Sequence, residues 1–226
     1  MRTACGLLSF DRSKPAGLPG DIIPGTHRVE HVVEEVAAAT RRGIKGTIEG
    51  PYHVPGAPEL PNVSTLPIGD EEAGAELLFQ GQVTSASGDP LAGARLEMWQ
   101  TDDEGLYSRF APGIPEWNLR GSVVADDQGR FAVTTIRPAP YQIPTGGSCG
   151  RLISAAGWHA WRPAHLHLKV SAPGHAPLTT QLYFKSGAYV EDDMARAVKP
   201  ALVIDPWPTG DGRCEVTHGF VLDAAS

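Results

Sequence analysis

The densest chemical potential in the chain lies in residues 162–170, RPAHLHLKV. His165, His167 and Lys169 alternate with Leu166, Leu168 and Val170, the pattern of a half-buried strand. Two histidines two residues apart on a strand point the same way, so their imidazoles can converge on one ion. Pro163 fixes the backbone just upstream and bars a helix. Arg162 sits next to the pair, and a cation there repels a metal unless something anionic also binds. It therefore reads as a substrate contact. His-x-His alone is more often two solvated imidazoles, and a catalytic metal takes three or four protein ligands. The rest of the chain must supply the others.

Two tyrosines are placed to do so. Tyr107 follows the turn at Gly105, and Tyr141 lies in PAPYQIP, pinned between Pro140 and Pro144. A phenol on a rigid, irregular backbone has little freedom and is well aimed. Taken singly, each is an ordinary tyrosine that packs its ring and bonds its hydroxyl. His159 neighbours the site in sequence as a supporting residue, whereas His27, His31, His53, His175 and His218 have no partner at ligand spacing. Trp99, Trp117, Trp158 and Trp161 read as core and loop anchors.

The elements that position these groups follow from composition and period. The chain has 226 residues, 41% of them hydrophobic, with 26 glycines and 20 prolines, which favours one turn-rich domain of short strands. A net charge of −7 argues against nucleic acid or an anionic membrane as partner. No apolar run approaches the ~20 residues of a membrane span, and the N-terminus has no sustained apolar signal region. Cys5, Cys149 and Cys214 lie far apart with no C-x-x-C, which disfavours a disulfide framework or a thiolate zinc site and points to the reducing cytoplasm.

Residues 27–42 carry the one good helix signal, with Val29, Val32, Val33 and Val36 at helical spacing, acidic residues early and Arg41 and Arg42 late. Residues 47–75 are Pro-rich and extended, a wrapping arm rather than a linker. Strand-like runs then follow at 77–84, 94–101, 121–125, 130–136, 164–172 and 178–184, separated by turn residues such as Ser87-Gly88-Asp89-Pro90. The expected fold is mainly β: an antiparallel β-sandwich catalytic domain over 76–226, preceded by a short, partly helical N-terminal arm over 1–75.

The order of five motifs is more specific than any of them singly. DDEGLYS at 102–108, LRG at 119–121, PAPYQIP at 138–144, RPAHLHL at 162–168 and LTTQLYF at 178–184 resemble the intradiol ring-cleavage dioxygenases. TIEGPYHVPGAP at 47–58 is similar to the catechol 1,2-dioxygenase branch. The resemblance implies one non-haem Fe(III) per chain, held by Tyr107, Tyr141, His165 and His167. It makes Arg162 and Gln181 catalytic, has Tyr141 leave the metal when substrate chelates, and puts Ile48, Pro51, Tyr52, Met194 and Ala195 on the pocket wall. The implied reaction cleaves catechol, or substituted catechols, with O2 to cis,cis-muconate. Hydroxyquinol cleavage is the neighbouring alternative, and a non-catalytic phenol-binding sandwich with a vestigial site the remote one. A homodimer is the implied assembly. The family's longer helical N-terminal region also encloses a lipid, and with only 46 residues before Thr47, lipid binding stays open here.

Overall fold

The alternating runs extend because each carries β-branched or aromatic residues and ends at Gly, Asp or Pro turns. A computed structural model describes residues 46–69, 72–210 and 212–225. Its strands are β1 (Glu59–Leu60), β2 (Val63–Thr65), β3 (Glu76–Ser85), β4 (Arg95–Trp99), β5 (Arg120–Val124), β6 (Arg130–Ile136) and β7 (Tyr141–Gln142). After helix α1 (Ser148–Ala155) come β8 (Trp161–Arg162), β9 (His165–Ser171), β10 (Leu178–Phe184), β11 (Val203–Ile204), β12 (Trp207–Pro208), β13 (Cys214–Thr217) and β14 (Phe220–Leu222).

Two sheets form the sandwich. One runs β1-β5-β4-β9-β10-β11; the other runs β12-β13-β3-β6-β2, with β14 also on β3. The pairs β5–β4, β4–β9, β9–β10 and β3–β6 are antiparallel as expected. Short strands add in parallel at the flanks, where β1 joins β5, β2 joins β6, and β13 and β14 join β3. The arm therefore contributes one strand to each sheet.

Between the sheets, Leu96, Met98, Leu166, Leu168, Val170 and Leu182 meet Leu77, Phe79, Phe131, Val133, Val216 and Phe220 in one buried cluster. Full burial of each such side chain stabilises the fold by about 1.5–3 kcal/mol. The face of β9 opposite this core carries the histidines. Register extends that face into a row: Gln181 pairs with His167, His167 with Trp99, and Trp99 with Arg120. Tyr183 opposite His165 starts a second row.

Several expectations need correcting. Helix α1 carried no clear period, being short and holding Gly150, and Gly147 precedes it without a side-chain cap. The flanking strands of two to four residues are too short to show an alternation. Trp158 is exposed rather than an anchor. Cys214 is disulfide-bonded, contrary to the reading of the cysteine spacing, while Cys149 is free and exposed. The helix expected over 27–42, with the dimer and lipid questions tied to it, lies outside the described residues. No helix among the described residues is long and apolar enough to cross a membrane.

One close approach tests this packing. β13 and β14 lie along the same strand, and the chain between them passes over Gly81, where an added Cβ would lie 1.9 Å from the His218 carbonyl oxygen. Gly81→Ala is expected to destabilise the protein by about 1–3 kcal/mol. A thermal or urea denaturation midpoint equal to wild type would contradict the contact.

Candidate metal centre

β9 presents His165 and His167 side by side because strand side chains repeat every two residues. Their Nε2 atoms lie 2.9 Å apart, and His167 Nε2 is 3.1 Å from the Tyr107 hydroxyl. Tyr107 hydrogen-bonds to Tyr141, whose hydroxyl also accepts from Arg162 Nη1 at 3.4 Å. Two donors at right angles on a shared ion, each about 2.1 Å away, lie about 3 Å apart. The spacing of the histidine and phenol atoms fits that arrangement. Among the described residues no three His, Cys, Asp or Glu side chains are grouped to hold a metal. An ion at this place could be held by two imidazoles and the phenols, a nitrogen and hard-oxygen environment suited to Fe(III).

The loops that deliver the phenols are fixed from behind. Asp102 accepts the Leu106 and Glu104 N–H groups, closing the turn before Tyr107, and Thr101 Oγ1 donates to the Ala139 carbonyl 2.8 Å away, tying that turn to the Tyr141 segment. Gly105, with φ 85, approaches the Pro140 carbonyl so closely that a Cβ would lie 2.5 Å from it. Tyr141 itself lies on β7, paired with Arg162 on β8. Trp99 stacks on His167 with ring centres 4.7 Å apart, and Tyr52 stacks on Tyr107 at 4.2 Å.

Protonation follows from burial. Nδ1 of His165 is 2.7 Å from the Pro163 carbonyl, which accepts its proton and leaves the Nε2 lone pair facing the site. Desolvation, followed by Arg162, brings His165 down to about 3; desolvation, followed by the His165 neighbour, holds His167 well below the usual range. Both are neutral donors at ordinary pH. Desolvation pushes the Tyr107 phenol well above its usual range, with Tyr141 adding to the effect, and also raises Tyr141 despite the lowering influence of Arg162. Without a positive ion both phenols stay protonated; a bound trivalent ion would reverse that.

Arg162 is 2% exposed and Asp193 7%. Nε and Nη2 of Arg162 donate to the two oxygens of Asp193 at 3.0 and 3.1 Å. Burial opposes the guanidinium charge, but the bond to Asp193 and the nearby tyrosines outweigh it, and the pKa is raised. Asp193 also accepts backbone N–H groups from Ala195 and Ala197. Nη2 of Arg162 donates further to Gln181 Oε1 and Tyr183, leaving Nη1 directed at Tyr141 and 3.5 Å from His165 Nε2. Gln181 is engaged at both ends, since its Nε2 donates to the Ile48 carbonyl at 2.9 Å and lies 3.2 Å from His167 Nδ1.

Of the residues singled out in the sequence, Tyr107, Tyr141, Arg162, His165, His167 and Gln181 converge here, with Tyr52 packed against the phenols and the Ile48 backbone over Gln181. Pro51 is exposed on the arm. Met194 and Ala195 follow Asp193 on the segment that grips Arg162, the Ala195 N–H bonding to the Asp193 carboxylate. His159 stays at the margin, paired with Asp192. Sequence reasoning missed Asp193, Tyr183 and the stacking role of Trp99. Tyr183 was available from the period of two, being one step beyond Gln181 on the same face. Asp193 was not, because Glu191-Asp192-Asp193 reads as a solvated acidic run.

Comparison with known proteins follows this geometry. The sequence model of the Dioxygenase_C family, described as dioxygenase, matches residues 48–224. A chlorocatechol 1,2-dioxygenase from Pseudomonas sp. (strain P51) is 40% identical over 195 residues, covering 86% of this chain and 76% of that protein. A hydroxyquinol 1,2-dioxygenase from Rhizobium sp. (strain MTP-10005) is 38% identical over 177 residues, 78% of this chain and 59% of that one. The crystal structure of 3-chlorocatechol 1,2-dioxygenase from Rhodococcus opacus 1CP superposes with a TM-score of 0.82 at 45% identity, over 87% of this chain and 79% of that chain.

Two outcomes are expected. Asp193→Asn leaves a buried guanidinium uncompensated and should destabilise the fold by about 3–5 kcal/mol; an unchanged urea midpoint would mean that the pair holds nothing. In metal-free protein the histidines take up protons only on unfolding between their native and ordinary values, so the unfolded chain binds more protons and stability falls as pH drops below about 6.5. The slope should reach about 1.4 kcal/mol per pH unit per histidine, and replacing His165 with Asn should flatten it.

Proposed function

Because the chain belongs to the intradiol ring-cleavage dioxygenases, in their catechol 1,2-dioxygenase branch, we propose that it binds one Fe(III) through Tyr107, Tyr141, His165 and His167. There it cleaves catechols between their hydroxyl-bearing carbons with O2, giving cis,cis-muconate or its substituted forms. The observation that carries the reading is the convergence of two neutral imidazoles and two phenols beside a buried, fixed guanidinium. When bound, Fe(III) would supply a hard Lewis acid able to hold the diol as its dianion, the form whose ring is electron-rich enough to react with O2.

The chain's own groups do the rest. A catechol must lose two protons to chelate. Burial raises the Tyr141 phenol, so its oxygen, when not held by an ion, would have a high proton affinity and could take one of them. Tyr107 is more deeply buried and wedged under Tyr52, and is the phenol suited to stay. Nη1 of Arg162 already reaches the Tyr141 oxygen, so its N–H stands where negative charge gathers on substrate oxygens and ring as the reaction proceeds. Asp193, Gln181 and Tyr183 hold that guanidinium in one orientation before substrate arrives, which avoids reorganisation during the reaction. Gln181, with its amide shared among Arg162, Tyr183, Ile48 and His167, orders its neighbours.

Ring substituents would meet the arm, at Ile48, Pro51 and Tyr52, and the segment of Met194 and Ala195. The chlorocatechol relatives favour chlorinated catechols among the substrates, and the hydroxyquinol relative supports hydroxyquinol as the second reading. Iron-loaded protein should be coloured by phenolate-to-Fe(III) charge transfer. His165→Ala should lose iron while keeping its circular dichroism. Catechol should give an ultraviolet-absorbing muconate; a yellow semialdehyde, or a strict need for ferrous iron, would overturn the proposal. Parallel rates on catechol, 4-chlorocatechol and hydroxyquinol decide between the two substrates.

A further inference from the structure

The motif at 119–121 contains a charge that the reaction does not use. Arg120 is 1% exposed and stands at the end of the outward row of β5, opposite Trp99. Its Nε donates to Ser108 Oγ at 2.8 Å, Nη2 to the Ser108 carbonyl at 3.0 Å and Nη1 to the Tyr52 carbonyl at 2.7 Å. All three acceptors are neutral, and no carboxylate pairs with it among the described residues. Removing a guanidinium from water is costly, and a buried cation is ordinarily matched by an anion. Burial lowers this one to about 10, with Tyr107 opposing that effect. The chain also accepts a strained backbone to deliver it: Leu119, buried and not glycine, has φ 56.

The group able to carry negative charge nearby is Tyr107. The guanidinium carbon lies 5.9 Å from its ring centre. Ser108, which Arg120 grips twice, is its chain neighbour, and Tyr52, whose carbonyl Arg120 also holds, is the ring stacked upon it. We propose that Arg120 is a positioning residue for Tyr107: it clamps the Tyr107 loop to the arm, and its fixed positive charge favours the phenolate that a metal-bound Tyr107 presents. Arg162 differs in kind, because Asp193 neutralises it locally. Arg120 keeps its charge free for the site.

This inference rests on the Fe(III) reading above, and its test separates the two. Arg120→Gln removes the charge and keeps a polar side chain, Arg120→Lys keeps the charge and loses the fork, and Arg120→Met replaces the first should it fail to fold. Ferric iron affinity, measured by competition with a chelator, and the visible absorption maximum of the loaded protein are read for each. Charge alone predicts no loss of Fe(III) affinity in the neutral variants, because the cation that favours the phenolate also repels the ion. Their band should move to longer wavelength, because the phenolate electrons lose the stabilising cation. Arg120→Lys should return the band close to wild type, which a purely structural role would not do. Wild type that takes up no Fe(III) and shows no visible band overturns the metal reading and this inference with it. Coloured wild type with an unshifted band in Arg120→Gln overturns the inference alone, as does an Arg120→Lys band shifted as far as that of Arg120→Gln.

Discussion

Strand β9 separates two buried environments. Its period of two sends Leu166, Leu168 and Val170 into the sandwich core and His165, His167 and Lys169 to the other side, and a slip of one residue would exchange the sets. The core locks that register, because burying two imidazoles between the sheets in place of three aliphatic side chains is unfavourable. The geometry of the histidine pair is thus enforced by the hydrophobic effect acting on the opposite face. The same constraint passes to the neighbours through register, placing Trp99 and Gln181 on either side of His167.

Buried charge is handled in two ways around these donors. Arg162 and Asp193 form a forked pair that is nearly neutral seen from afar, yet directs one N–H toward Tyr141. Its value lies in orientation, since buried pairs add little net stability once desolvation is counted. Arg120 is surrounded by neutral acceptors and keeps a long-range field. The two cations flank the phenols with different reach, one local and directional, the other diffuse.

The sandwich was legible because its long strands are amphipathic in their own sequence: residues 130–136 and 178–184 are strands end to end. The short flanking strands were not, since they pair through backbone groups and carry no alternation. At the site, the histidine pair was noticeable from its own spacing, whereas the two tyrosines, ordinary when taken singly, joined it only through the resemblance carried by the five ordered motifs. Asp193 was hidden because its partner lies 31 residues away, and nothing in its neighbours distinguishes a buried carboxylate from a solvated one. Trp99 was recognised as an anchor, but what it anchors depends on the register of β4 against β9.

The arm over residues 46–58 bears on the order of assembly. It bonds to β10 at Thr47, covers Gln181 with Ile48, sets Gly50 where an added Cβ would lie 3.4 Å from His167, and delivers the Tyr52 carbonyl to Arg120. These contacts join residues 133 and 68 positions apart in the chain, the kind of closure whose entropic cost makes it slow. Antiparallel neighbours such as β9 and β10 need only a short connection to meet, so the histidine pair and Gln181 come into register early, before they are roofed. The buried donors of Gln181 and Arg120 find their last acceptors only when the arm arrives. In the proposed iron enzyme a completed metal pocket would thus be a late milestone of folding, and loading with metal would report that these long-range contacts have formed.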